Sequence, residues 1–216
     1  MKTVAIISQK GGAGKTTIAV HLAVEAQRQG FSVAVFDLDP QASASSWSDK
    51  RKSDMPAVVS AQAARLPSLL EQARNQKADL VIIDSAPNAD AASLAAARAA
   101  DLILIPCRPA AFDLEAIGTT LSLAAVAGKP AWVLLNAVPP QGKLGEEARA
   151  ILTASKVQVV DTLLHHLVAF SHSVNDGRTA VEYDPKSKAA LEIATLCKWV
   201  FTKTALRVNT KTKKHA

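Results

Sequence analysis

Cysteine is scarce in this 216-residue chain, and the two present, Cys107 and Cys197, form no CxxC pair. That spacing suggests neither a disulfide framework nor a zinc site, and it suits a reducing compartment. Aromatic residues make up only 4% of the sequence. A surface that stacks bases on aromatic platforms is therefore not expected, and any contact with nucleic acid has to be mainly ionic. Long apolar runs are missing as well. Arg, Lys, Asp or Pro interrupts each candidate before the roughly 18 to 20 residues of a membrane span. The apolar stretch Val4 to Ile7 is far shorter than a signal-peptide core. A soluble, cytoplasmic protein is expected.

Acidic residues stop at Glu192. After it come Lys198, Lys203, Arg207, Lys211, Lys213 and Lys214, so the whole formal excess of +6 sits at the C-terminal end. What is plentiful is apolar material, 49% of the residues against 20% charged. This excludes wholesale disorder and predicts a globular core, and the length fits one domain.

Short apolar runs alternate with helix-like stretches, the pattern of a parallel sheet covered on both faces. Strands are expected at Thr3 to Ser8, Ser32 to Asp37, Leu80 to Asp84, Leu102 to Pro106, Ala131 to Asn136 and Val157 to Asp161, with a shorter one at Ala57 to Ser60. A first helix is expected from Lys15 to Gln29, since Ile18, Leu22 and Ala26 make an apolar stripe and Gly30 follows as a left-handed cap. Further stripes run through Leu66 to Ala73, Leu114 to Ala127, Glu146 to Ala154 and Ala189 to Phe201, and Ala89 to Ala100 reads as a close-packed helix. Residues 1–206 are expected to form the domain and 207–216 a loose basic tail.

The strongest chemical signal is Gln9-Lys10-Gly11-Gly12-Ala13-Gly14-Lys15-Thr16-Thr17, set between the first strand and the first helix. A triphosphate brings several negative charges against backbone, so its cradle needs glycines for close approach and N–H groups at a helix start. Gly11, Gly12 and Gly14 supply the freedom, Lys15 can reach the β- and γ-phosphates, and the Thr16 hydroxyl can sit on Mg²⁺. The generic phosphate-loop pattern wants Gly where Gln9 stands. Two further stretches deliver acids to strand ends, where α/β folds bind ligands: Asp37-Leu38-Asp39-Pro40-Gln41, and Asp84 after Leu80 to Ile83. Such carboxylates can orient water or hold the shell of a metal.

With Lys10 at its head, KGGAGKTT resembles the deviant Walker A loop of the ParA/MinD family of ATPases. The resemblance implies an α/β fold, a single-domain P-loop NTPase with a mostly parallel twisted sheet and helices on both faces. It implies that ATP and Mg²⁺ are bound, with Lys10, Gly11, Gly12, Ala13, Gly14, Lys15, Thr16 and Thr17 around the phosphates. Lys10 then reaches a partner subunit's nucleotide in an ATP-sandwich homodimer; a plain solvated lysine is the alternative. DLDPQ resembles the switch I signature, which implies that Asp39 positions the attacking water and Asp37 supports the magnesium region. Asp84 matches the Walker B acid and Ser85 to Pro87 the start of switch II. Lys10, Lys15 and Asp39 carry the catalytic expectation, and Thr16, Asp37 and Asp84 the metal.

Asn136 matches the position where ParA relatives read adenine, and an amide that donates and accepts suits that base edge. An Asn that merely forms a turn before Pro139-Pro140 remains open. Phe112 to Ile117 resembles the segment opening the family's helix after the fifth strand, and Asn175 to Gly177 with Glu182 to Asp184 resembles its C-terminal region. One departure stands out: relatives commonly carry Arg where this chain has His165-His166-Leu167. The family further implies slow ATP hydrolysis, nucleoid association through non-specific DNA binding, and release by a ParB-like centromere-binding or adaptor partner. A helix-turn-helix domain ahead of the first strand is not expected.

Two other classes are weighed. A MinD-like membrane ATPase needs an amphipathic C-terminal helix, and Val208 is the only large apolar residue in Val208 to Ala216. A metabolic P-loop enzyme of the dethiobiotin-synthetase kind shares the topology, and Lys10 argues against it. The histidines have no acid or cysteine spaced to complete a metal site. An iron–sulfur subunit needs cysteines near switch II, where Ser85 to Asp90 has none.

Overall fold

In the computed structural model of this chain, residues 1–87 and 90–207 are described. Six strands, β1 (Lys2–Ile6), β2 (Val33–Asp37), β3 (Ala57–Ser60), β4 (Leu80–Asp84), β5 (Leu102–Cys107) and β6 (Ala131–Leu135), form one sheet. Its order is β3-β2-β4-β1-β5-β6 and every pairing is parallel. Parallel strands need crossovers, and helices supply them: α1 (Lys15–Arg28), α2 (Ser43–Asp49), α3 (Leu66–Asn75), α4 (Asp90–Ala99), α5 (Ala111–Ala127) and α6 (Leu144–Ala154). After α6 come α7 (Val168–Val174), α8 (Ala180–Tyr183) and α9 (Lys188–Thr204).

Successive side chains on a strand face opposite sides, so apolar strands feed two cores. Val4, Ile6, Leu80 and Ile82 pack with Ile18 and Leu22 of α1 and Ile193 and Leu196 of α9. Ala5, Ile7, Val81 and Ile83 pack on the other side with Leu69 of α3, Ala96 of α4, Ile117 of α5 and Leu152 of α6. The helices therefore cover both faces, as expected.

Two differences from the expected elements have physical causes. The segment Val157 to Asp161 is not a strand. It meets β6 only through a bridge from Val133 to Val159, and a second bridge joins Val138 to His165. Bends at Asp161 and Thr162 separate the two. Helix α2 is not expected from SASSWSD, a segment rich in serine, which is a weak interior helix former. Tertiary contacts make it: Asp37 accepts the N–H groups of Ala44 and Ser45, and Trp47 is buried. Finally, the expected tail from Val208 to Ala216 lies outside the described residues, as does Ala89 of the alanine-rich helix.

Helix α2 and the strand after it are bolted to the C-terminal region. Trp47 donates its indole N–H to the Arg178 carbonyl at 3.0 Å. Arg51 donates to the Gly177 carbonyl at 2.7 Å, to the Met55 carbonyl at 3.0 Å and to both oxygens of Glu182. Gly177 is held at φ +76, where an added Cβ would come within 2.6 Å of the Lys50 backbone.

Candidate nucleotide and metal site

The glycine-rich loop leaves the end of β1, the strand flanked by β4 and β5, and opens α1. The central position brings the carboxyl ends of its neighbours beside the loop. Gly14 caps α1 in the left-handed region at φ +94, and a Cβ there would collide with the Asn136 amide nitrogen. No other residue satisfies both demands. Lys15 is buried, its Nζ donating to the Ser8 carbonyl at 3.2 Å. Burial lowers its pKa, and the nearby charges of Asp84 and Asp39 act the other way.

Lys10 has a different setting. Its side chain is 45% exposed, and its Nζ lies 3.9 Å from Asp113 of α5. A half-exposed pair at that distance is weak. Lys10 is thus a loosely held cation at the head of the loop, Lys15 an inward one.

Three acids meet the loop from β2 and β4. Asp37 and Asp84 are register partners across these strands and neither is solvent exposed. Asp37 Oδ1 accepts the Asp39 N–H at 3.1 Å, while its Oδ2 accepts those of Ala44 at 3.0 Å and Ser45 at 3.2 Å. Asp37 therefore shapes the turn into α2. Asp39 Oδ1 accepts the Gln41 N–H at 2.9 Å, and its side chain stands at the partly exposed edge of the site. Asp84 accepts no hydrogen bond from any described group on either oxygen. Burial pushes its pKa up to about 7; the nearby Thr16 side chain offsets part of the rise and Asp37 adds to it. Ser85, next along, donates to the Ile6 carbonyl at 3.0 Å and ties the β4 end to β1.

A buried carboxylate without a partner beside a threonine hydroxyl is the donor set that a hard cation completes. Asp84 and Thr16 thus fit Mg²⁺, with Asp37 behind them. Lys15 and the loop's backbone fit phosphate.

Two cavities flank the loop. The first, about 170 Å³, is lined by Gly12, Gly14, Ile18, Asn136, Leu164, Leu167 and Phe170 among others. The second, about 420 Å³, is more polar and reaches from Thr16 to Gln41, Ser43, Ser46 and Lys50. Thr17 borders both. Asn136, at the mouth of the first, donates from its amide to the Ala13 carbonyl at 2.7 Å. The side chain thus braces the loop and also lines the cavity. Behind the loop His21 is buried, with Nδ1 2.7 Å from the Thr17 carbonyl. Burial lowers its pKa to about 4, so the ring is neutral. Cys107 is buried and its thiol is pushed up to about 12, which leaves it a packing residue.

Arg108 does not stand out in the sequence. From the β5–α5 connection its guanidinium donates to the Gly12 carbonyl, and Asp113, in the first turn of α5, makes the weaker contact with Lys10. The only local signal is a cation just after a strand. Of the C-terminal cations, Lys203 is committed to the body, its Nζ 4.0 Å above the Trp132 ring.

The profile of the CobQ/CobB/MinD/ParA nucleotide binding domain matches residues 4–180. Maintenance of carboxysome distribution protein A of Gloeobacter kilaueensis is 32% identical over 196 residues, which span 88% of this chain and 89% of that protein. The chromosome-partitioning ATPase Soj of Thermus thermophilus is 28% identical over 151 residues, 56% of this chain and 61% of its own. The MinD cell division protein of Aquifex aeolicus superposes with a TM-score of 0.77 at 17% identity, over 94% of this chain and 98% of that one, a likeness of fold.

Proposed function

Because the chain belongs to the CobQ/CobB/MinD/ParA nucleotide-binding family, we propose that it is a ParA-like ATPase that dimerises on Mg·ATP, binds DNA without sequence preference and releases on hydrolysis. The observation that carries this reading is the pair of lysines in one loop, Lys15 buried and Lys10 half exposed and weakly held. One cation serves the chain's own phosphates. The other is free to meet those of a second subunit.

Triphosphate lies along the loop from Gly11 to Thr17, and the base enters the apolar cavity beside Asn136. The polar cavity, with Lys50 and the serines of α2, suits a base less well. Mg²⁺ held by Thr16 and Asp84 neutralises phosphate charge. Asp37 keeps the turn that presents Asp39. Asp39 orients the water that attacks the γ-phosphate, giving ADP and inorganic phosphate. Basal turnover is slow, because a ParB-like partner completes the stimulated state.

DNA contact rests on the cations after Glu192, and the protein then works in the cytoplasm on the nucleoid. Its cargo is a DNA locus, as in plasmid or chromosome partition. A second reading, positioning of a protein assembly, is favoured by one observation: the carboxysome distribution protein is matched over nearly its whole length. Among the described residues no helix is long and apolar enough to cross a membrane.

Cosedimentation tests the proposal. With ATP and Mg²⁺, but not ADP, the purified protein should dimerise and pellet with DNA, and not with anionic liposomes. Pelleting with liposomes alone would favour a membrane role, and monomers under every condition would remove the switch.

A further inference from the structure

The wall of the apolar cavity opposite the loop is built from two separate pieces of chain, and one carboxylate joins them. Beyond α6 the chain runs beside the extension of β6: Leu164 donates its N–H to the Leu135 carbonyl at 2.9 Å, and His166 donates to the Val138 carbonyl at 2.8 Å. The intervening N–H, that of His165, points the other way, as strand alternation requires. Glu192 of α9 receives it on Oε2 at 2.9 Å. Its second oxygen, Oε1, meets Nδ1 of the same His165 ring at 2.5 Å. Beside a carboxylate oxygen, Nδ1 carries a proton and donates it. Lys188, one turn before Glu192, places its Nζ 3.4 Å from that Nε2 and 3.9 Å from Oε1.

His165 and Ile193, the residue after Glu192, both line the cavity. The bond between Glu192 and His165 therefore joins the two pieces of chain that make this wall. Glu192 is 11% exposed and His165 20%, so water competes little for either group. If the carboxylate is removed, the His165 N–H loses its partner and the two pieces lose their tie.

We infer that Glu192 is a positioning residue for the nucleoside: by clasping backbone and ring of His165 it sets the width of the base-binding end of the cavity, leaving the phosphate end untouched. The inference rests on the proposed nucleotide site. Lys15 holds the phosphates from the far side of the loop and makes no contact with the clasp, so the two ends can be tested apart.

The experiment compares two probes, ATP and inorganic tripolyphosphate, by calorimetric titration with Mg²⁺ present. Wild type should bind both, and Lys15→Ala should lose both; this arm tests the nucleotide site alone. Glu192→Ala should weaken ATP about tenfold, as expected for the loss of hydrogen bonds to a charged group, while tripolyphosphate affinity stays within about twofold. Glu192→Gln, which still offers one oxygen to the His165 N–H, should fall between. Preference for ATP over GTP should narrow in the same order. Unchanged ATP affinity in Glu192→Ala, or an equal loss for both probes, would overturn the clasp with the nucleotide site intact. A wild-type chain that binds neither probe would overturn the site and the clasp together.

Discussion

Asp37 and Asp84 stand side by side at the ends of β2 and β4, both without solvent exposure, yet Asp37 accepts three backbone N–H groups and Asp84 accepts none. Identical side chains on adjacent strands thus do different things. One fixes the turn into α2, and the other lies buried with no hydrogen-bond partner among the described residues.

A buried carboxylate without a partner costs stability. Asp84 has a pKa near 7 in the folded chain against 3.8 for the free side chain. Between those values the folded state holds a proton that the unfolded state has released, so stability falls as pH rises from about 4 to 7. Asp84→Asn should make the metal-free protein more stable at pH 8 by a few kcal/mol, with the gain vanishing near pH 4. Urea unfolding at pH 5 and pH 8 measures this. An equal effect at both pH values would mean that Asp84 is ionised throughout.

Lys10→Ala should abolish ATP-driven dimerisation and leave nucleotide binding in place, whereas Lys15→Ala should weaken binding itself by about a hundredfold. Light scattering with ATP separates the two. The contact between Lys10 and Asp113 is worth less than about 1 kcal/mol, so Asp113→Asn should leave the unfolding midpoint almost unchanged. A normally dimerising Lys10→Ala variant would remove the sandwich arrangement.

Asp39→Ala should bind ATP, dimerise and fail to turn over, giving a trapped dimer. Its backbone N–H still reaches Asp37, so the turn loses only the bond from the Gln41 N–H to the Asp39 carboxylate, while the attacking water of the proposed reaction loses its guide. Phosphate release under single-turnover conditions should drop by about two orders of magnitude. Turnover at the wild-type rate would exclude Asp39 from the chemistry.

Arg51 should matter for folding and not for chemistry. Its side chain is 5% exposed and joins the α2–β3 connection to Glu182 and to the Gly177 carbonyl. Arg51→Met leaves the Gly177 carbonyl and Glu182 Oε1 without this donor, while Glu182 Oε2 keeps Thr179, and should cost about 3 kcal/mol in urea unfolding. A loss below about 0.5 kcal/mol would show that the bolt is redundant.

Deleting residues 207–216 removes Arg207, Lys211, Lys213 and Lys214 and keeps Lys203 on its tryptophan. If those four cations touch DNA phosphates, the log–log salt slope of binding should become shallower by about 0.9 for each phosphate that is no longer neutralised. ATPase and dimerisation should be unaffected. An identical slope would place the DNA surface on the folded body.

Strands and loop were legible in the sequence because their signals are local. VAII, LVIID and LILIP are apolar throughout, and glycine spacing with two lysines marks a phosphate cradle within nine residues. What escaped depends on residues far apart. Helix α2 is helical because Asp37 caps it, a fact that a serine-rich heptamer cannot announce. Arg108 finds Gly12 across 96 positions, Arg51 finds Glu182 across 131, and Glu192 finds His165 across 27. Each is an ordinary surface-type residue until the fold closes. Asn136 was legible as a residue of the site, but its bond to the Ala13 carbonyl was not.

The strand order has a consequence for how the chain comes into being. β1 precedes both of its sheet neighbours in the chain and pairs with nothing nearby in sequence; its neighbours are β4 and β5, residues 80 to 107. A growing polypeptide that has just emerged past β3 carries the complete glycine loop and α1, but both edges of the strand that aims them are still bare. Such non-local pairing is slow, and an unpaired apolar strand is a template for aggregation until its partners arrive. A fragment of residues 1–79 therefore lacks both sheet neighbours of β1 and should need a chaperone to stay soluble.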